Sequence, residues 1–167
     1  ENEEEHTVDV IRRLGLDFAF VKDKMRVLQP RFYSIASSPR KDAGVLHLCI
    51  AVARYETLGR AREGVATTYL VDRVPVNSFV DMWVQPNPKF RPASQQDPAI
   101  MIGPGTGLAP FRAALRDDVC CEEKQFQRML FFGCRHKDRD FLYREEFETW
   151  SLRLEVLGLA FSRDSLS

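Results

Sequence analysis

The spacing of apolar residues changes period part-way along the chain. In Val45 to Val52, Leu46, Leu48, Ile50 and Val52 fall on one face and Val45, His47, Cys49 and Ala51 on the other, the period-two pattern of a strand. Phe79 to Val84 and Arg31 to Ala36 are further runs of this kind with turn signals between them, so the first half reads as part of an antiparallel sheet or barrel. Further on, Ala99 to Ile102 is a continuous apolar run that meets glycine, as in a strand buried on both faces. Phe111, Leu115 and Val119 then recur at helical spacing, with Pro110 suited to the first turn. Met129 to Cys134 is the next strand. Tyr143, Phe147, Trp150 and Leu154 form a helical stripe behind Asp140 as N-cap, and Leu154 to Phe161 returns as a third strand. Strand, helix, strand, helix, strand predicts a parallel, doubly wound sheet whose ligands sit beyond the strand C-termini.

The two patterns meet at Pro86 to Pro98, which holds four prolines, and this predicts two domains, 1–95 and 96–167. The chain has 167 residues, 44% of them hydrophobic, enough for a packed core. With 24 basic and 24 acidic residues there is no net field to hold a polyanion, which argues against nucleic acid. Cys49, Cys120, Cys121 and Cys134 form neither a C-x-x-C pair nor a disulfide framework, which fits a reducing, cytoplasmic compartment and no metal site. The acidic start Glu1-Asn2-Glu3-Glu4-Glu5 is unlike a signal peptide, and no run reaches membrane-spanning length, although an anchor elsewhere stays open. A start without Met and an end just past an apolar run read as a fragment, its first domain incomplete at the N-terminus and its second truncated.

Three segments carry candidate chemistry. Gly103-Pro104-Gly105-Thr106-Gly107, between a buried strand and a helix, can offer backbone N–H groups and a positive dipole end to a phosphate. It matches neither G-x-G-x-x-G nor a P-loop, so a plain strand-to-helix turn stands equally. Gly64-Val65-Ala66-Thr67 can start a helix over an anion, though taken alone an ordinary N-cap is the stronger reading. Arg31-Phe32-Tyr33-Ser34 sets a cation, two aromatics and a hydroxyl on an extended run, able to cover a flat cofactor and hold its phosphates; by itself an ordinary strand is again the stronger reading. Cys134, at the end of an apolar strand, reads as packing, and His136 as part of a solvated charged loop.

Taken together and in order, Arg31 to Ser38, Gly64 to Thr67, Ile102 to Arg112, Phe132 to Arg135 and Phe161 to Asp164 resemble the motif series of the diflavin reductases. The resemblance implies an FAD-binding antiparallel β-barrel followed by an NADPH-binding α/β domain, with FMN in a flavodoxin-like domain outside this chain. For FAD it implies Arg31 at the pyrophosphate, Tyr33 stacked on the isoalloxazine beside Phe32, and Ser34 near flavin N5 as the catalytic group. It further places the amides of Gly64, Val65, Ala66 and Thr67 on phosphate oxygens, Cys49, Ile50 and Ala51 against the flavin, and Tyr55 nearby. For NADPH it implies Thr106 at the turn formed by Gly103, Gly105 and Gly107, Ser162 with Arg163 at the 2′-phosphate, and Arg135 as a further phosphate contact competing with an ion pair to Asp138 or Asp140. The implied activity is NADPH-dependent reduction of FAD, with single electrons passing through FMN to a protein acceptor. Phe131 to Asp140 and Phe161 to Asp164 resemble the methionine synthase reductase versions of their segments, which implies a cobalamin-dependent methionine synthase as acceptor. A cytochrome P450 as acceptor and a non-catalytic FAD-binding fragment are the alternatives.

Overall fold

The computed structural model describes residues 6–91, 97–118, 120 and 127–164. The acidic start, Cys121 and the Val119 position of the helical stripe lie outside them. The chain divides into two compact units that interleave in sequence: Glu1–Phe32 with Ala51–Asp81, and Tyr33–Ile50 with Met82–Ser167.

The first unit opens with α1 (Thr7–Arg13) and a short α2 (Phe18–Val21). Asp9, in the first turn of α1, accepts the His6 backbone N–H at 3.2 Å. It also accepts from Arg60 at 2.6 Å and Arg62 at 2.5 Å. Those arginines stand on β2 (Arg60–Glu63), which pairs antiparallel with β1 (Arg54–Thr57). The two residues joining the strands, Leu58 and Gly59, have φ of 52° and 64°. Positive φ at both central positions is the primed turn whose twist matches a two-stranded ribbon. The hairpin escapes a search for alternating apolar residues because its sequence, RYET and RARE, is charged on both faces. α3 (Val65–Thr68) follows, seated by the Thr68 hydroxyl on the Gly64 carbonyl at 2.9 Å.

The strands expected at Arg31 to Ala36 and Val45 to Val52 reduce to one antiparallel bridge, Ile35 to Leu48, with the Ala36 N–H on the His47 carbonyl at 2.8 Å. Side chains take over where ladder bonds were expected: Ser37 Oγ accepts the His47 N–H at 3.0 Å, and Asp42 accepts the Ser38 N–H at 3.0 Å. Phe79 to Val84 is not a strand at all, and Phe79, Met82, Trp83 and Val84 are exposed.

The rest of the second unit follows the expected alternation. β3 (Ala99–Pro104), β4 (Arg128–Cys134) and β5 (Val156–Phe161) form a parallel sheet in that order, with Met101 opposite Leu130 and Leu130 opposite Leu157. α4 (Ala109–Asp118) and α5 (Arg144–Ser151) make the crossovers. Both crossovers step the same way, so with the usual right hand both helices lie on one face. The buried cluster agrees: Met101, Leu130 and Phe132 from the sheet meet Leu115 of α4 and Phe147 and Trp150 of α5. On the opposite parity Ile100 and Ile102 are two-thirds exposed, so β3 is covered on one face only and not on both as its continuous apolar run predicts, because both crossover helices pack on the same side.

The start of α5 departs from expectation. Tyr143 holds the N-cap position with φ of 55°, and Asp140 instead accepts the His136 N–H at 3.1 Å and pairs with Arg135. Its loop bonds compete with capping and win. Leu154 lies past the helix end yet stays in the core.

Candidate cofactor site

The glycine turn stands at the carboxyl end of β3. A Cβ on Gly103 would lie 2.8 Å from the Gly107 carbonyl oxygen and 2.9 Å from the Phe111 ring, so no other residue fits there without displacing the turn. Gly105 has φ of 52°, a conformation that strains an L side chain. Buried Leu108 and Ala109 anchor the turn beneath. A 3-10 turn over Gly105–Leu108 runs straight into α4, with the Ala109 N–H bonded to the Thr106 carbonyl and Pro110 carrying none, so an anion would meet the amides of the glycine turn rather than those of α4. Thr106 is half-buried on this turn.

Ser162 and Arg163 follow β5 on the same carboxyl edge and are exposed. Their N–H groups donate to the Cys134 and Arg135 carbonyls at 3.0 and 2.9 Å, tying the turn after β5 to the end of β4. One strand, β4, lies between them and the glycine turn, two strand spacings or roughly 10 Å. The ADP half of a dinucleotide bridges such a gap. Asp164 accepts from the Lys137 backbone N–H at 2.9 Å and shares a 3.0 Å contact with His136, and these hold its carboxyl below the usual range. His136 therefore helps brace the Ser162-Arg163 turn. Arg135 pairs with Asp140 at 3.3 Å while remaining mostly exposed. Cys134 packs against the core, and burial pushes its thiol up, away from nucleophilic use.

The residues singled out for the flavin fall in both units. In the second, Tyr33 is half-buried and Ser34 exposed, immediately before the Ile35–Leu48 bridge, and half-buried Cys49 and Ile50 leave its other strand. In the first, Arg31 is exposed and donates to the Gln29 carbonyl at 3.0 Å, and Phe32 and Ala51 are exposed. The Gly64 turn is closed to a Cβ, which would meet Thr67 Oγ1 at 2.6 Å and Ala53 Cβ at 2.8 Å. The Thr67 hydroxyl is engaged internally, accepting the Ala53 N–H at 3.2 Å, so the turn's anion-facing groups are its amides. Tyr55 lies beside His6, 3.4 Å from hydroxyl to Nε2.

The motif series contains Arg112 but gives it no task, and the structure makes it a hub. Its guanidinium donates to Glu146 Oε1 at 2.5 and 3.1 Å, to the Ala36 carbonyl at 2.6 Å and to His47 Nδ1 at 3.1 Å, and lies 4.2 Å from the Tyr143 ring centre. One turn on, Arg116 binds Asp42 through both terminal and Nε groups and reaches Glu146 at 3.3 Å. The Arg116 hydrogen bonds hold the Asp42 carboxyl well below the usual carboxylate range. Tyr143 is pushed up to about 12, by burial and by its hydrogen bond with Cys49. Only the FR pair at the end of the glycine motif hinted at this network, since its partners are 30 to 80 residues away. Two recesses of about 320 and 210 Å³, one beside Asp9 and one beside Trp150, include none of the cofactor candidates. No metal-binding cluster occurs among the described residues.

Residues 7–69 match the FAD binding domain family, and residues 101–161 match the oxidoreductase NAD-binding domain family. The sulfite reductase [NADPH] flavoprotein alpha-component of Klebsiella pneumoniae is 41% identical over 162 residues, covering 94% of this chain and 27% of that protein. Its Salmonella typhi counterpart gives the same values. The Mannheimia succiniciproducens protein of the same name is 44% identical over 145 residues, 85% of this chain and 24% of its own. The chain belongs to the diflavin reductase family. It spans about a quarter of the length of these relatives, and what it shares with them runs through both nucleotide-binding segments of a flavoprotein oxidoreductase. Its relatives here are sulfite reductase flavoproteins, so the comparisons lend no support to a methionine synthase acceptor. No helix among the described residues is long and apolar enough to cross a membrane.

Proposed function

We propose that this chain is the FAD- and NADPH-binding reductase part of a sulfite-reductase-type diflavin enzyme. What supports the reading most is the Gly103 cradle, closed to any Cβ, at the end of the first parallel strand and inside the segment that matches the NAD-binding family. With both cofactors bound, the chemistry they would supply is hydride transfer from NADPH to FAD, followed by one-electron release through FMN in a flavodoxin-like domain to an acceptor protein.

The chain's residues bind and orient. Amides of the Gly105–Leu108 turn, with Thr106, hold the NADPH pyrophosphate, and Gly103 and Gly105 let it approach the backbone. Ser162 with Arg163 takes the 2′-phosphate, a guanidinium beside a hydroxyl being suited to that dianion. Arg135, already paired with Asp140, contributes general positive charge nearby. On the FAD side Arg31 holds the pyrophosphate with the amides of Gly64, Val65, Ala66 and Thr67. Tyr33, with Phe32 beside it in sequence, covers the flavin ring, Cys49, Ile50 and Ala51 contact it, and Tyr55 lies near the FAD. Ser34 donates a hydrogen bond at N5, the atom where charge develops. In the whole protein, Ser34→Ala should slow flavin reduction by NADPH roughly tenfold or more while FAD content stays near one per chain. Unchanged stopped-flow kinetics would overturn the role.

The acceptor divides a second reading from the first. Phe131 to Asp140 and Phe161 to Asp164 favour a methionine synthase reductase by local resemblance, whereas the relatives' shared identity favours a sulfite reductase partner. Comparing electron delivery from the whole protein to a sulfite reductase partner component, a cobalamin-dependent methionine synthase and a cytochrome P450 decides between them.

A further inference from the structure

The Arg112 hub lies between the two halves of the chemistry proposed above, and both lever arms that leave it are short. Along α4, Arg112 is four residues beyond Leu108, where the glycine turn ends, about 6 Å at helical rise. Along the other segment, the carbonyl it grips belongs to Ala36, two residues from Ser34, about 7 Å in extended chain. The imidazole it grips belongs to His47, two residues before Cys49. Ala36 and His47 are joined by the backbone bond beside the Ile35–Leu48 bridge, so one guanidinium fixes both strands of that bridge at once. The bridge itself is a single pair with no ladder on either side, braced by the Ser37 hydroxyl on the His47 N–H at 3.0 Å. Glu146 and the Tyr143 ring close the remaining sides of the guanidinium, whose side chain is 7% exposed.

We propose that Arg112 is a positioning residue for hydride transfer, which locks the Tyr33-Ser34 and Cys49-Ile50 segments at a fixed place relative to the nucleotide turn of α4. Its clamp needs a planar group with several donors, since Nε and one terminal nitrogen serve Glu146 while the other serves Ala36 and His47. A lysine has one ammonium and cannot span both sets. Hydride transfer tolerates little displacement, and misplacement of about 1 Å costs on the order of a hundredfold in rate.

The inference rests on the proposed reductase function for its kinetic half, and an exchange measurement tests it independently. Arg112→Lys and Arg112→Met would be made in the whole protein, and three quantities read. Amide hydrogen exchange over 33–38 and 46–50 should accelerate at least tenfold in both variants, with β4 unaffected. The single-turnover rate of flavin reduction by NADPH should fall on the order of tenfold for lysine and a hundredfold for methionine, with KM for NADPH changed less than threefold. The deuterium isotope effect with 4-deuterated NADPH should rise, because the hydride step becomes more limiting. Native exchange at 33–38 together with a wild-type hydride rate in Arg112→Lys would overturn the proposal. If Arg112→Met loses its FAD, the lysine variant decides alone. A wild-type protein that binds FAD but is not reduced by NADPH would overturn the reductase reading instead, and the exchange result would still stand or fall for the clamp.

Discussion

At the scale of single residues, glycines announced themselves in the sequence and cations did not. Gly103 and Gly64 were legible because only glycine tolerates a backbone approaching within a Cβ's reach, and both turns prove closed to a side chain. Gly103→Ala should therefore weaken NADP⁺ binding by about tenfold or more, as the Gly107 carbonyl and Phe111 are forced outward; titration of the flavin difference spectrum with NADP⁺ reads it, and unaltered affinity would detach the turn from the nucleotide. Arg112, Arg116 and Asp42 were not legible, since an arginine in a list of 24 basic residues shows nothing of a partner 70 positions away. Asp42 also sets a pH dependence. Its folded pKa lies below that of an unfolded aspartate, about 3.9, so its contribution to stability is complete above that value and is lost as pH falls toward the folded one. Asp42→Asn should lower the unfolding midpoint at pH 7 and flatten its fall between pH 4 and the acid limit. A variant that keeps the wild-type acid slope would show that Asp42 is not the group responsible.

At the scale of elements, the parallel half was readable and the antiparallel half was not, for a physical reason. β3, β4 and the helix stripes bury apolar residues with a clear period, and Leu130, Phe132, Phe147 and Trp150 fell where the pattern put them. The first-half segments instead rely on side-chain bonds such as Ser37 to His47 and on ion pairs such as Asp9 with Arg60 and Arg62, which leave no period. The β1–β2 hairpin shows the cost of an unfavourable turn residue: Leu58 takes a left-handed conformation that suits asparagine or glycine better. Leu58→Asn should stabilise the folded protein by about 0.5–1 kcal/mol, read as a raised denaturant midpoint at unchanged slope. A lowered midpoint would show that the Leu58 side chain contributes more by packing than its backbone loses.

At the scale of the whole molecule, the boundary drawn at the proline-rich stretch and the division made by contacts differ over two segments, 82–95, which passes to the second unit and moves the boundary to residue 82, and 33–50. Composition puts 33–50 with the first half, whereas it shares a compact unit with 82–167. Sequence order hides such an exchange, because it depends on Arg112, Arg116 and Asp117 of α4 meeting Ala36, Asp42 and Ser38. The exchange itself is testable. Residues 96–167 produced alone keep the parallel sheet and the Glu146 partner of Arg112, but leave that buried guanidinium without the Ala36 carbonyl, a charged hydrogen bond worth about 1.5–3 kcal/mol. Arg116 loses its main carboxylate in the same cut. The 96–167 piece should therefore melt well below the intact chain, and fusing 33–50 ahead of residue 96 by a flexible linker should restore most of the difference. Circular dichroism melts of the three proteins read the outcome: equal midpoints for 96–167 and the fusion would mean that 33–50 adds nothing to the nucleotide-binding unit, and that the boundary lies where the prolines put it.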